Sequence, residues 1–246
     1  LARQAEVNHL LEWVKTEYKK TPAARNYDSC VFYLQKAVDL DEENPDVHFY
    51  LSDARYHTMT QDGINLSGLS FNGIAQASDA IEKVLAINPE YKNDSLIIDP
   101  YSRLTVFWGE LALHYLAGSS KDSALIAYKE GRKRGGFNDV MLEYARNTMN
   151  SCDLNSLLFL TFDITYHPVI YLQQLENLRT DIAPMIMGFL PTDWYFNYVT
   201  KTLGVHVSIG TAQYSGMSDI AWQAQNEIIQ NANTAQSFTW AVYPNS

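Results

Sequence analysis

Three nine-residue segments follow one helical pattern at a constant spacing, and this repetition limits the fold more than any other feature of the chain. Each segment has a small residue, a large residue four positions later and a small or modest residue three positions after that. The small first residues are Cys30, Ala77 and Ala124, which lie 47 residues apart each time. This periodicity is typical of helices, and small residues on one helix face let a second helix approach closely. The pattern predicts an array of packed helices over the first half of the chain.

The three segments resemble the second helices of tetratricopeptide repeats, a family of 34-residue helical hairpins. The first helices of the first two units are expected over residues 5–19 and 48–57. The third unit fits the family pattern best, with matches at Trp108, Leu111, Ala112, Tyr115, Ala124, Tyr128 and Gly131. The resemblance covers residues 5–136 and implies an array that binds a protein or peptide partner.

The spacing departs from the family, because 47 residues separate successive units where the family has 34. The extra residues fall near residues 60–73 and 91–103, and loops of this length are expected to cover part of the concave face. Two interpretations therefore stand at this point. Either the array binds a protein or peptide, or it packs against the rest of the chain and has no ligand of its own.

Charge density changes abruptly near residue 150. Residues 1–150 hold 37 charged side chains, whereas residues 151–246 hold 9 charged and 14 aromatic side chains. We place the domain boundary at this step, with helical repeats over 1–150 and a second domain over 151–246. The net charge of −10 argues against nucleic acid as a partner, because phosphate binding requires a basic face. No apolar run reaches the length of about 18 residues that a membrane span needs.

The second half alternates apolar runs with helical segments. Apolar runs at residues 157–162 and 182–190 indicate buried strands. Pro168 is expected to open a helix that continues to residue 178, and Thr192 or Asp193 to cap a second helix that Gly204 ends. Further elements are predicted as a strand over 205–209, a helix over 218–231 and a strand over 238–243. This alternation predicts a small α/β domain with a parallel sheet.

Ligands of such sheets bind beyond the carboxyl ends of the strands. The residues placed there are Asp163, Thr165, Tyr166 and His167 after the first strand, and Asp193 after the second. Asp163 and His167 form an acid/base pair if their side chains converge. The alternative is structural, with Asp163 and Asp193 capping the helices that follow and His167 flanking one of them.

The segment from Asn155 to Pro168 resembles a second family, which comprises large membrane proteins of Bacteroidetes related to protein O-mannosyltransferases. These proteins carry a soluble C-terminal region with tetratricopeptide-like helices, and the resemblance covers residues 100–246. The matching positions are Asn155, Leu158, Phe159, Asp163, Pro168, Tyr171, Gln173, Arg179, Asp181, Trp194 and Tyr195. The resemblance implies an α/β fold and a bacterial cell envelope, without an assigned reaction.

The loop after the first strand departs from that family. The second family aspartate falls at Thr165, and its glycine and asparagine fall at Phe162 and Ile164. One carboxylate remains, and a lone carboxylate is a poor site for Mg²⁺ or Ca²⁺. The chain also contains no nucleotide-binding glycine motif and no metalloprotease or hydrolase motif, and its two cysteines exclude a Cys-rich metal site. We therefore expect no catalytic residues, no metal and no cofactor.

Two functions from different classes are consistent with these features. The first is a non-enzymatic protein-interaction or assembly protein, located in the periplasm or cell envelope of a bacterium. The chain begins with Leu1 rather than Met, which is consistent with the removal or trimming of an N-terminal piece, and a signal peptide or a lipid anchor are two candidates for that piece. The alternative is an α/β domain that binds a glycan or small molecule through the Asp163 loop, related to transferases or hydrolases.

Overall fold

The computed structural model describes residues 2–60, 63, 65–93, 99–207, 228 and 238–240. These residues form two compact units. The first unit comprises the chain up to His114 together with Glu130–Gly136, and the second comprises Tyr115–Lys129 and the described residues from Phe137 onward. The boundary drawn between residues 150 and 151 rests on composition alone and stays a prediction.

Six α-helices occupy the described residues up to Lys133. Their starts carry helix-initiating residues: the Asn26 and Ser70 side chains accept hydrogen bonds from the backbone N–H groups of Ser29 and Gly73. Pro45 and Pro100 are the first residues of their helices. A backbone N–H at that position has no partner within the helix, so its absence in proline costs no hydrogen bond. The helices are α1 (Ala2–Tyr18), α2 (Tyr27–Leu40), α3 (Pro45–Thr60), α4 (Phe71–Ile87), α5 (Pro100–Ala117) and α6 (Lys121–Lys133).

The helix faces predicted from the repeated pattern are confirmed. Cys30, Ala77 and Ala124 lie on α2, α4 and α6, and each is 0% exposed. The large residues four positions later are buried as well: Leu34, Ile81 and Tyr128. In the first unit, successive helices from α1 to α4 pack against each other. The small residues therefore stand where a neighbouring helix needs close approach.

Helix α3 forms the centre of the first unit. Four of its aromatic rings, those of Phe49, Tyr50, Tyr56 and His57, each contact a ring from another element at centroid distances of 4.9–5.2 Å. The partner rings belong to Tyr18, Tyr27, Tyr91 and Phe107. Most of α3 is buried, and Thr58 is the exposed residue of the helix.

The second unit contains a parallel three-stranded sheet, as the alternation of strands and helices predicts. The strand order is β2-β1-β3, and β1 pairs with both neighbours in parallel. Helix α8 packs against β1, β2 and α7. The α-helices and strands described after α6 are α7 (Asp139–Asn150), β1 (Leu157–Leu160), α8 (Asp163–Glu176), β2 (Ala183–Ile186), α9 (Asp193–Lys201) and β3 (Phe238–Trp240).

The start of α8 corrects the prediction made from Pro168. The helix begins at Asp163, five residues earlier, and Pro168 lies inside it. A proline in the second turn costs a hydrogen bond to the carbonyl four residues before it, here that of Ile164. Burial of every residue from Thr165 to Ile170 outweighs this cost. The expected loop after β1 is therefore the first turn of a helix.

The remaining predicted elements differ in extent. Strands β1 and β2 are four residues each, shorter than the apolar runs at 157–162 and 182–190. Helix α9 starts at Asp193 with Thr192 as its N-cap residue, as expected. Of the strand predicted over 205–209, only Val207 forms a bridge among the described residues. The helix predicted over 218–231 and the last residues of the final strand lie outside the described residues, apart from Ile228 and β3.

Across the described residues, no helix combines the length and apolar character that a membrane span requires.

Candidate functional site

The first five residues of α8 include four of the five candidate site residues. Asp163 is the first residue of the helix and is half-buried, at the end where the helix dipole favours a negative charge. The Thr165 hydroxyl donates to the Phe162 carbonyl at 2.6 Å, and the Tyr166 N–H donates to the same carbonyl at 3.0 Å. Thr165 thus stabilises the start of the helix, which is a structural role.

His167 lies one turn after Asp163 and is completely buried. Neither of its ring nitrogens has a hydrogen-bond partner. Burial lowers the pKa of His167 to about 3, because the charged imidazolium is disfavoured away from water. The imidazole is therefore neutral at neutral pH and offers a lone pair and an N–H group that the protein leaves unused.

The side chains of Asp163 and His167 lie close together, as an acid/base pair requires. A carboxylate oxygen of Asp163 and a ring nitrogen of His167 lie within 4.8 Å of each other. They face the same side because residues four apart on a helix are neighbours. No hydrogen bond joins them, since both ring nitrogens lack one. The two groups are therefore close together but do not form the hydrogen-bonded acid/base pair of general catalysis.

Buried tyrosines surround this turn. Burial raises the pKa of Tyr166 well above its usual value, and the nearby Tyr195 and Tyr198 raise it further. The Tyr195 hydroxyl accepts a hydrogen bond from the Ile186 N–H at 2.9 Å. Burial also raises the pKa of Tyr195, with a smaller contribution from the negative charge of Asp163. These phenol groups therefore stay protonated and uncharged at physiological pH.

Asp193 occupies a different environment. It is the first residue of α9 and is exposed, whereas His167 is fully buried. This position agrees with the structural alternative, in which a carboxylate in the first turn favours the helix start. A ligand-binding role for Asp193 stays a prediction.

Sequence reasoning missed a hydrogen-bond network around Arg179. The guanidinium donates to the carbonyls of Met149, Cys152 and Asp153 at 2.6, 3.1 and 2.9 Å. Two further bonds of 2.9 Å reach the Asp181 carboxylate. Arg179 thereby satisfies carbonyls at the end of α7, where the helix itself supplies no donors.

The same network includes two other residues that carry the family resemblance. The Gln173 side chain donates to the carbonyls of Arg179 and Ile182 at 3.0 and 2.8 Å. The Asn155 N–H donates to Asp181 at 3.2 Å. The shared residue pattern was the signal that could have identified this network. It connects the end of α7 to β1 and the end of α8 to β2, so these residues stabilise the fold.

Replacing Arg179 with alanine is expected to lower the free energy of unfolding by about 2 kcal/mol, because charge-assisted hydrogen bonds of this kind are worth about 1.5–3 kcal/mol. Urea unfolding followed by circular dichroism measures the loss. Arg179→Lys, which keeps the charge but lacks the fork of donors, should recover less than half of it. A loss below about 0.5 kcal/mol in the alanine variant would contradict the role assigned to the network.

Replacing Arg179 with alanine also changes how the stability of the fold depends on pH. The hydrogen bonds from Arg179 lower the pKa of Asp181 from 3.8 to about 2. A lowered carboxyl pKa stabilises the fold above pH 3.8, and this contribution disappears as the pH falls through about 2. In Arg179→Ala the pKa of Asp181 should return toward 3.8, which a carbon-detected NMR titration measures directly.

Comparison with known proteins gives one family match. The family described as TMEM260-associated domain 2 matches residues 141–241, from α7 to the end of β3. TMEM260 is a protein O-mannosyltransferase, which agrees with the resemblance of the C-terminal part to a region of such proteins. The chain matches no curated protein and no solved structure.

Proposed function

We propose that the chain is a non-enzymatic protein-interaction or assembly protein built on tetratricopeptide-like repeats, and that it works in a bacterial cell envelope beside an O-mannosyltransferase-type membrane protein. The successive packing of α1 to α4 and the buried small residues at equal spacing support the repeat interpretation. The TMEM260-associated domain at residues 141–241 supports the placement beside a protein of that type. The envelope location rests on the resemblance to membrane proteins of Bacteroidetes.

An aromatic patch formed by residues of α1 and α2 carries this proposal. The patch consists of Trp13, Phe32, Tyr33 and Lys36. Phe32 is 56% exposed, and its ring centroid lies 5.4 Å from that of Tyr33. The Trp13 and Tyr33 rings meet edge to face at 4.5 Å, and the Lys36 ammonium lies 4.3 Å from the Phe32 ring centroid.

Aromatic side chains of this kind dominate the binding energy of protein interfaces, because they bury a large area and lose little conformational freedom. The patch is preordered by its own ring contacts, which lowers the entropic cost of binding. The enclosure of α3 argues against a peptide lying along that helix. We therefore assign the partner to the aromatic patch of α1 and α2 rather than to α3.

Site-specific photo-crosslinking in a cell that makes the protein tests this assignment. A photoreactive residue at position 32 should capture one defined protein, whereas the same residue at position 126 should not. Ile126 is a matched control, since it is an apolar helix residue that is 57% exposed, against 56% for Phe32. Phe32→Glu should weaken the purified complex at least about 30-fold, the loss typical of a binding hot spot.

Results at positions 32 and 126 can also contradict the assignment of the interface. Phe32→Glu and Ile126→Glu should each change the free energy of unfolding by less than about 0.5 kcal/mol, so that binding is compared between folded proteins. Equal crosslinking from both positions, or a complex that tolerates Phe32→Glu, would remove the aromatic patch from the interface.

A small-molecule or glycan site in the second unit is the second candidate function. The observation that favours it is the complete burial of His167 with two unused ring nitrogens, beside Asp163. This site is independent of the aromatic patch, because the two groups of residues belong to different units.

A further inference from the structure

The unused imidazole of His167 calls for a partner. Polar groups buried in native proteins are nearly always hydrogen-bonded, and an exception often indicates a functional role or an ion. His167 is 0% exposed, and both of its ring nitrogens lack a hydrogen bond. The ring is held in place by its neighbours, including an edge-to-face contact with Tyr166 at 5.3 Å. A fixed lone pair in a dry environment is a good ligand for a metal ion.

The carboxylate of Asp163 is placed to share the same ion. One of its oxygens and a ring nitrogen of His167 lie within 4.8 Å of each other. Two ligand atoms on one tetrahedral Zn²⁺ ion are about 3.3 Å apart, given bonds of about 2.0–2.1 Å. Binding of the ion therefore requires the Asp163 carboxylate to move closer to the His167 ring. Asp163 is half-buried, so the site has a route to water and to a metal ion in solution.

We propose that Asp163 and His167 supply a carboxylate oxygen and an imidazole nitrogen to a divalent first-row transition metal ion of the Zn²⁺ class. Imidazole selects these ions over Mg²⁺ and Ca²⁺, which prefer ligand sets made of oxygen alone. The imidazole adds a second ligand, so the site does not depend on the single carboxylate that would by itself bind a metal ion poorly. No metal was expected from the sequence, because only one carboxylate remains in the loop after the first strand. The start of α8 at Asp163 places the His167 imidazole one turn from that carboxylate.

The site rests on the second candidate function and is independent of the aromatic patch. It requires the helical spacing of Asp163 and His167, which the start of α8 at Asp163 provides.

Zn²⁺ titration of the metal-depleted full chain by calorimetry tests the proposal. The wild-type protein should bind one Zn²⁺ ion per chain. Asp163→Asn and His167→Asn should each weaken binding at least 100-fold, by a rough estimate for the loss of one direct ligand. Asp193→Asn is the matched control, because Asp193 is the first residue of α9 as Asp163 is of α8, and it should bind as the wild type does.

A second measurement covers the case in which His167→Asn fails to fold. Asp163→Asn changes a half-buried side chain at nearly constant shape, and Co²⁺ absorption bands report the coordination of the wild-type and variant proteins. The site is supported if the wild-type protein shows the Co²⁺ absorption bands of an imidazole–carboxylate site and Asp163→Asn does not. Absence of stoichiometric Zn²⁺ binding in the wild type, or binding unchanged in Asp163→Asn, overturns it. Neither outcome bears on crosslinking from position 32, so the two proposals fail separately.

Discussion

Replacing Arg103 with methionine is expected to lower the free energy of unfolding by about 3–5 kcal/mol, the usual loss when one partner of a buried ion pair is removed. The Arg103 guanidinium lies 2.7 Å from the Asp53 carboxylate, and the two side chains are 10% and 2% exposed. Without Arg103, the Asp53 charge stays buried inside the first unit. His57, at 3.5 Å from Asp53, compensates only where it is protonated. Methionine keeps most of the volume, so the effect reports charge rather than packing.

A double-mutant cycle with Asp53→Asn measures the pair. Urea unfolding of the two single variants and the double variant should show that the double variant loses less than the sum of the singles. Arg146→Met is the matched control, because Arg146 pairs with Glu176 at 2.9 Å in a site that is 33% and 40% exposed. That exposed pair should contribute less than about 1 kcal/mol. Equal losses at Arg103 and Arg146 would contradict the buried-charge argument.

Replacing Trp108 with alanine should cost the first unit about 3–5 kcal/mol, as expected when a buried tryptophan is truncated. Trp108 is 0% exposed, and its indole N–H donates to the Ser78 hydroxyl at 2.9 Å. The Phe71 ring meets the indole at 5.1 Å, and the Arg134 guanidinium lies 5.6 Å from the ring centroid. The substitution therefore creates a cavity and removes the donor that satisfies Ser78.

Two further variants separate these contributions. Trp108→Phe keeps most of the apolar burial but leaves the Ser78 hydroxyl without its donor, and should cost about 1–2 kcal/mol. Trp13→Ala is the control for the loss of an indole at a half-buried position and should cost about 1 kcal/mol. Circular dichroism follows unfolding in all three variants, because tryptophan fluorescence itself changes. A loss in Trp108→Ala no larger than in Trp13→Ala would show that the site relaxes around the cavity.

The helical array could be predicted because its signal is local. The spacing of Cys30, Leu34 and Ala37 places three side chains on one helix face whatever the rest of the chain does. All three are buried. The parallel sheet could be predicted for a similar reason, since a strand, a helix and a second strand in sequence favour parallel pairing.

The start of α8 could not be predicted from local preferences. Proline at the first helical position is the common case, and Pro168 suggested a start there. Whether a helix continues upstream through a proline depends on the burial of residues such as Tyr166 and Val169, which is a tertiary property. The five-residue difference decides whether Asp163 and His167 stand on a loop or on one helix face.

The candidate site could be predicted only in part. Sequence position placed Asp163 and His167 after the first strand, and the structure brings them together. The sequence could not show that His167 is buried without a hydrogen-bond partner, because satisfaction of a polar group depends on every element packed around it. It also could not assign Arg179 and Asp181 to the network that joins α7 to β2, although the resemblance contained both residues.

The order of the sheet has a consequence for how the second unit forms during synthesis. Strand β1 lies between β2 and β3, so Leu157 pairs with Ala183, 26 residues later, and with Phe238, 81 residues later. The longer loop costs about 1 kcal/mol more in closure entropy, so the pair with β2 forms first. Ribosomes add about 5–20 residues per second, and the other edge of β1 therefore stays unpaired for about 3–11 seconds. An open edge of four apolar residues is a site for intermolecular strand pairing, so we expect the nascent chain to be most prone to aggregation between the synthesis of β2 and that of β3.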